Sequence, residues 1–280
     1  MISTLNCKGQ LLDLSVPVVM GILNTTPDSF YDGGRYNSVE NALKQAEKMI
    51  QEGATILDIG GASSRPNADI VSEAAELDRT IPVIAAIHQQ WPAQIISIDT
   101  WRAAVAREAV ANGASIINDI SGGSMDAQMF QTVADCGVPY ILMHIQGTPQ
   151  NMQQTPHYDD LITEVLDYFI EKVGQLRALG VKDIVLDPGF GFGKTIAHNY
   201  TLFRSMDQFS LILDLPLLVG ISRKSMIYKL LETSSADTLS ATCALNALAL
   251  ERGARILRVH DVQPAMEVIK VWQAYSLLKT

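Results

Sequence analysis

Eight short apolar runs punctuate the chain, at 18–23 (VVMGIL), 55–59 (TILDI), 95–99 (IISID), 115–120 (SIINDI), 140–144 (YILMH), 183–187 (DIVLD), 217–222 (LLVGIS) and 256–260 (ILRVH). Continuous runs of this kind suit strands buried on both faces, as parallel strands covered by helices are. Between them lie longer stretches with helical spacing, predicted at 38–52, 73–90, 102–112, 127–136, 158–179, 199–209, 225–232 with 237–252, and 262–277. No linker, low-complexity tract or internal repeat interrupts this β-α rhythm. Eight such units are the number that closes a barrel, so the predicted fold is a single (β/α)8 TIM barrel spanning 1–280. A doubly wound open sheet is the alternative, because alternation alone does not decide closure.

Composition narrows the picture. At 280 residues the chain is close to the roughly 250 typical of such a barrel. A hydrophobic content of 48% against 18% charged residues points to a folded core and away from disorder. The formal charge of -9 disfavours nucleic acid and anionic lipid as partners, so an anionic substrate must meet a local basic cluster. The opening segment MISTLNCKGQLLDLSVP lacks the charged-then-apolar order of a signal peptide, and no apolar run is long enough for a membrane span. The expected location is cytoplasmic. Cys7, Cys136 and Cys243 are far apart and show no metal-ligand spacing, which reads as buried or incidental thiols. His88, His157 and His198 are expected at the surface.

The polar residues that end the apolar runs carry the chemistry: Asn24, Asp58, Asp99, Asn118 with Asp119, His144, Asp187, Ser222 with Arg223 and Lys224, and Arg258 with His260. In a barrel these positions meet at the C-terminal rim. Any one of them alone has a ready explanation as a helix cap; the whole set converging does not. Three glycine-bearing segments decorate the same rim: NTTPDSFYDGG (24–34) with Phe30 and Tyr31, GGASSRP (60–66) with Arg65, and DPGFGFGK (187–194) with Phe190 and Phe192. Pro188 occupies the first glycine position of a nucleotide phosphate loop, which excludes that reading, and no dinucleotide fingerprint follows the first strand. SRKS (222–225) offers cations and hydroxyls at a predicted helix start, where an anion is favoured. Arg258, His260 and Arg65 extend that patch. Asp99, Asn118 and Asp187 have the groups needed to read the donor edge of a planar nitrogen heterocycle. The cations and Lys224 argue for an anionic leaving group and against a glycosidase-like carboxylate pair. No Cys or Ser stands in a nucleophile-and-base arrangement, so direct transfer between two bound substrates is expected.

The segments MGILNTTPDSFYDGG, GGASSRP, INDISGG, LMHIQGTP, LDPGFGFGK, GISRKSMI and RVHDV, in this order, closely resemble the dihydropteroate synthases of the folate pathway. The resemblance covers nearly the whole chain. It implies a barrel, usually a homodimer and a sulfonamide target, that joins 4-aminobenzoate to 6-hydroxymethyl-7,8-dihydropterin diphosphate with Mg²⁺ and releases diphosphate. By resemblance, Asp99, Asn118, Asp187 and Lys224 hold the pterin, with Met143 against the ring and Arg258 stacked over it. Asn24, Arg258 and His260 grip the diphosphate, and Asn24 helps to hold the Mg²⁺. Asp32 supports the cation-like methylene, and Asp32, Lys224 and Asn24 form the catalytic group. Phe30, Ser64, Arg65, Pro66, Phe192, Lys224 and Ser225 form the aminobenzoate pocket. The second loop departs from the family's common GGESTRPG at Ala62, Ser64 and Asn67, which touches loop geometry and drug sensitivity more than the reaction. Trp101 has no assigned role. Two other readings stand beside this one: a silent pterin-binding paralogue, whose mark would be loss of Asn24, Asp32, Arg65, Lys224 or His260, and a methyltetrahydrofolate-type methyltransferase domain, which needs no diphosphate patch.

Overall fold

Eight parallel strands close into a barrel in the computed structural model, which describes residues 4–25, 35–62 and 71–277. A hairpin of β1 (Thr4–Cys7) and β2 (Gln10–Asp13) precedes them. The barrel strands are β3 (Val18–Asn24), β4 (Ile56–Gly60), β5 (Ile95–Asp99), β6 (Ile116–Asp119), β7 (Tyr140–Met143), β8 (Ile184–Asp187), β9 (Leu217–Val219) and β10 (Ala254–Val259). They pair in sequence order, and β10 returns to β3. The helices are α1 (Arg35–Gln51), α2 (Glu73–Gln90), α3 (Ala103–Ala111), α4 (Met129–Cys136), α5 (Leu161–Ala178), α6 (Ile196–Ser205), α7 (Asp207–Leu213), α8 (Ser225–Tyr228), α9 (Leu239–Glu251) and α10 (Val262–Leu277). The closed barrel is the predicted fold; the open-sheet alternative is excluded.

The apolar runs hide a period of two. Met20, Ile56, Ile95, Ile116, Ile141, Val185, Leu218 and Ile256 fill the interior of the barrel. Their neighbours Val19, Leu57, Ile96, Ile117, Leu142, Leu186, Val219 and Leu257 pack outward against the helices. Successive strand side chains point to opposite faces, so counting on by twos carries the inner column to Asp58, Ser97 and Asp99, Asn118, Asp187 and Arg258. The apolar half of each strand thus builds the floor, and the polar half opens onto the rim.

The β1–β2 hairpin falls outside the predicted elements. Its turn uses Lys8 (φ 54°) and Gly9 (φ 91°), the left-handed pair that a tight hairpin requires. Leu5, Cys7, Leu12 and Leu14 are buried and join the inner floor cluster, so the hairpin plugs the N-terminal end. Each buried leucine contributes on the order of 1.5–3 kcal/mol.

Several boundaries differ from expectation. The predicted helix at 199–209 is two helices that meet at Met206, and α6 starts earlier because Thr195 and His198 cap it reciprocally. α8 is a single turn in place of 225–232, followed by a short 3-10 turn (Ser235–Asp237) before α9. Asp160 accepts from the Thr163 N–H and starts α5 three residues late. His88 and His157 are exposed, while His198 is half-buried in its cap. Cys7 is buried, and Cys136 and Cys243 are half-buried. Among the described residues no helix is long and apolar enough to cross a membrane.

Candidate active site

Register places the rim residues side by side. Asn24 lies opposite Gly60, Gly60 opposite Asp99, and Asp99 opposite Asn118. Arg258 enters from β10 and spreads between two carboxylates. Its Nε donates to Asp58 Oδ2 at 2.6 Å, and its terminal nitrogen donates to Asp99 Oδ2 at 2.5 Å. Asn118 Nδ2 donates to the same Asp58 oxygen at 3.0 Å. Asp58 is 1% exposed, and its other oxygen has no hydrogen-bond partner among the described residues.

Burial shapes the charges here. It pushes Asp99 up to about 7, with Arg258 opposing the rise and Asp58 adding to it. Burial likewise raises Asp187, against Lys224 and the Gly189 N–H, which donates to it at 2.8 Å. Lys224 is brought down to about 8 by burial, against the pull of Asp187. For Arg258 burial disfavours the charge, but Asp58 and Asp99 together outweigh it and hold the guanidinium charged.

Asn118, Ile120, Met143, Asp187, Phe192, Gly220, Lys224 and Arg258 enclose a pocket of about 260 Å³, part of it open to solvent. Ile120, Met143 and Phe192 supply one apolar wall; the amide, carboxylate and two cations face it. Lys224 Nζ donates to the Phe190 carbonyl at 2.5 Å and lies 4.6 Å from the centre of the Phe192 ring. A flat ring that is polar at its edge and apolar on its face suits such a pocket.

The adjoining polar pairs separate by direction. Asn118 points inward, whereas Asp119 takes the Tyr140 hydroxyl at 2.7 Å and the N–H groups of Ser121 and Gly123, at 2.7 and 2.8 Å, and shapes the turn after β6. In the SRKS segment only Lys224 delivers a cation to the pocket. Arg223, with a left-handed φ of 58°, forks onto Asp261 at 2.7 and 3.2 Å. Ser222 Oγ sits 3.0 Å from His260 Nδ1 and orients that ring. The expected helix-start anion site is weaker than its sequence suggests, because α8 is one turn long and carries little summed dipole. Ser225 opens that turn, half-buried, beside Lys224.

Asn24 ends β3, half-buried. Gly60 leaves a gap beside it: a Cβ there would come within 3.6 Å of Asn24 Oδ1 and 3.7 Å of Asp99 Oδ2. Asp32, Phe30, Ser64, Arg65 and Pro66 lie outside the described residues. The feet of the second loop are fixed: Arg79 donates to the Gly61 carbonyl at 3.0 Å and Arg102 to the Val71 carbonyl at 2.5 Å. Arg102 also pairs with buried Glu76.

Four residues have partners that the sequence did not reveal. Asp58 was visible as a strand end, but its pairing with Arg258 spans most of the chain. Trp101 packs against the cluster of Ile120, Met143, Ile145, Met152 and Phe192, under the Arg102 guanidinium 5.0 Å away. Lys194 and His144, read respectively as part of a rejected phosphate loop and as a strand end, meet in a buried contact.

Residues 20–260 match the family of pterin binding enzymes, the class to which this barrel, with its inward carboxylates and apolar wall, belongs. Within that class, the chain is 48% identical to dihydropteroate synthase of Escherichia coli (strain K12) over 95% of its own length and 94% of that protein. It is 43% identical to dihydropteroate synthase of Haemophilus influenzae, over 96% and 98% of the two chains. The crystal structure of the Yersinia pestis dihydropteroate synthase with a sulfonamide drug superposes with a TM-score of 0.92 at 44% identity, covering 98% of this chain and 99% of that one. The Xanthomonas albilineans enzyme with 4-aminobenzoic acid gives 0.91 at 40% identity, covering 98% of each. The chain belongs to the dihydropteroate synthase family.

Proposed function

We propose that the family's reaction, transfer of the dihydropterin methyl group from 6-hydroxymethyl-7,8-dihydropterin diphosphate to the amine of 4-aminobenzoate, runs here with a fixed division of labour. The pterin lies in the pocket between Met143, Ile120 and Phe192 on one side and the polar residues on the other. Asp99 and Asp187 accept from its donor edge, Asn118 and Lys224 complete the set, and Arg258 lies over the ring. The observation that carries this reading is the convergence of Asn118, Asp187, Lys224 and Arg258 on one apolar-walled pocket, with Asp99 bonded to the same guanidinium.

The arylamine is uncharged at neutral pH and attacks the pterin methylene carbon. The bond from that carbon to the diphosphate oxygen breaks, the electron pair leaves with diphosphate, and the nitrogen then sheds a proton. Charge stabilisation governs such a step more than a strong base does. Asn24, Arg258 and His260 hold the departing diphosphate, and Asp32 supports the methylene as it gains positive character. Phe30, Ser64, Arg65, Pro66, Phe192, Lys224 and Ser225 receive the aminobenzoate.

The residues present fit Mg²⁺. Asn24 Oδ1 faces the gap over Gly60, and Mg²⁺ is commonly held by one or two protein oxygens with substrate phosphates completing its shell. When bound, the ion neutralises charge on the diphosphate. A homodimer is part of the same reading. Exposed Leu211 and Ile212 on α7, Leu230 and Leu231 after α8, Leu239 and Leu248 on α9, and Val271 and Tyr275 on α10 follow one another along the chain from α7 to α10, and exposed apolar surface, where it is contiguous, favours a partner. A cytoplasmic location is supported by three free cysteines.

The test mixes purified protein with the pterin diphosphate, 4-aminobenzoate and Mg²⁺ and follows diphosphate and dihydropteroate. Folded protein that makes neither sinks the assignment.

A further inference from the structure

The loop between β8 and α6 has a shape only glycine permits. Gly189, Gly191 and Gly193 all take positive φ, at 69°, 84° and 63°. A Cβ on Gly189 would fall 1.8 Å from the His144 carbonyl oxygen, and one on Gly193 would fall 2.4 Å from that of Gln146. The loop is therefore pressed flat onto the end of β7. From its far side Lys194 doubles back underneath, 3% exposed. Its Nζ bonds the Gly189 carbonyl at 3.1 Å, the Phe192 carbonyl at 3.0 Å and His144 Nδ1 at 2.9 Å.

A buried ammonium is expensive, and a methionine would fill the same space at less cost. No carboxylate is among these three contacts; Asp187 acts on Lys194 only through space. What the three bonds secure is the course of the loop. The same loop presents the Phe190 carbonyl that accepts from Lys224 and the Phe192 ring beside that ammonium. It also contains Asp187 at its root. Asn199 of α6 adds one more tie, accepting from the Gly191 N–H at 2.7 Å.

We propose that Lys194 is a positioning residue for the transfer reaction: by fixing the loop that bears the Phe190 carbonyl and the Phe192 ring, it sets where the Lys224 ammonium sits. His144 is the complementary part. Burial, with Lys194 beside it, holds its imidazole well below the usual histidine range, so the ring is neutral, and the tautomer protonated at Nε2 lets Nδ1 accept from Lys194. Burial also draws Lys194 down to about 7, against the pull of Asp187. The proposal rests on Lys224 belonging to the substrate pocket.

Lys194→Met keeps the buried stem and removes the ammonium; Lys194→Ala leaves a slot of alkylamine shape. Both are compared with wild type and Lys224→Ala for kcat and for KM of each substrate. The pH dependence of Lys224 acylation, read by mass spectrometry, is a second measurement independent of turnover. Lys194→Met is expected to fold and to lose about tenfold or more in kcat, the scale that small misplacements near a reacting centre produce. Its Lys224 profile is expected to move to higher pH, because burial under the loop lowers it and the neighbouring Lys194 charge, also removed, repels it. Ethylamine is expected to restore turnover to Lys194→Ala and not to Lys224→Ala. Wild-type kinetics with an unmoved Lys224 profile in Lys194→Met overturns the proposal, and so does failure of both Lys194 variants to fold, which makes the residue a fold element only. If Lys224→Ala itself turns over normally, the pocket assignment fails first and separately.

Discussion

Asp58→Asn isolates what a carboxylate does beneath Arg258. The substitution is isosteric, and an amide oxygen turned toward Arg258 Nε and Asn118 Nδ2 keeps both hydrogen bonds, now 2.6 and 3.0 Å long. The amide nitrogen then takes the place of the oxygen that has no partner. What is lost is the charge. A guanidinium and a carboxylate with centres roughly 4 Å apart attract by about 4 kcal/mol at an effective dielectric constant of about 20. Among the described residues, Asp99 is then the one carboxylate in contact with Arg258. Asp99, now near 7 partly because Asp58 repels its charge, loses that repulsion and gains an undivided guanidinium, which lowers it by about one pH unit or more. If Asp99 must be ionised to accept from the pterin, kcat/KM for the pterin diphosphate rises through about pH 7 in wild type. In Asp58→Asn this acid limb moves to lower pH. Paired pH profiles on the two proteins check it; a limb that stays in place or moves upward refutes the electrostatic argument. The stability sign follows. Asp99 is raised above its unfolded value of 3.8, so the folded state binds the extra proton and stability on its account falls as pH rises toward 7. Because Asp58→Asn shrinks that shift, the variant's melting temperature relative to wild type should climb between pH 5 and pH 7.

Three further outcomes are expected. Lys224→Ala should reduce kcat/KM by about 100-fold or more, the scale of losing a transition-state contact, with melting nearly unchanged; a variant that unfolds or works normally shows that Lys224 is misplaced. Leu5→Ala removes a fully buried plug residue and should cost about 2–5 kcal/mol of unfolding free energy by denaturant titration, with both KM values unmoved, since its cluster contains no pocket residue. Asn24→Ala should raise the Mg²⁺ concentration needed for half-maximal rate about tenfold, the scale of losing one supporting ligand; an unchanged Mg²⁺ titration removes Asn24 from the ion's holders.

The barrel was legible because its strands are continuous apolar runs of five or six residues and eight in number. The floor-to-rim polarity was also present in the sequence: Ile56 to Asp58, Ile116 to Asn118, Val185 to Asp187 and Ile256 to Arg258 are each a step of two. Direction was harder. Asn118 and Asp119 are adjacent and both polar, and only the register of β6 sends one to the pocket and the other to Tyr140. Contacts between distant segments were out of reach, since Asp58 meets Arg258 and Lys194 meets His144 only after closure. The hairpin at the start was missed because four-residue strands give too short a pattern to stand out. Arg223 looked like a pocket cation because nothing local announces Asp261 as its partner.

That hairpin has a consequence for traffic. With Leu5, Cys7, Leu12 and Leu14 stoppering one end and the isoleucine floor above them, the barrel is closed at its base among the described residues, and the pocket opens from the rim side. Entry and exit therefore share the polar strand ends: whatever reaches Met143 and Asp187 passes the level of Asp99 and Arg258, so the groups that hold a guest also line its path.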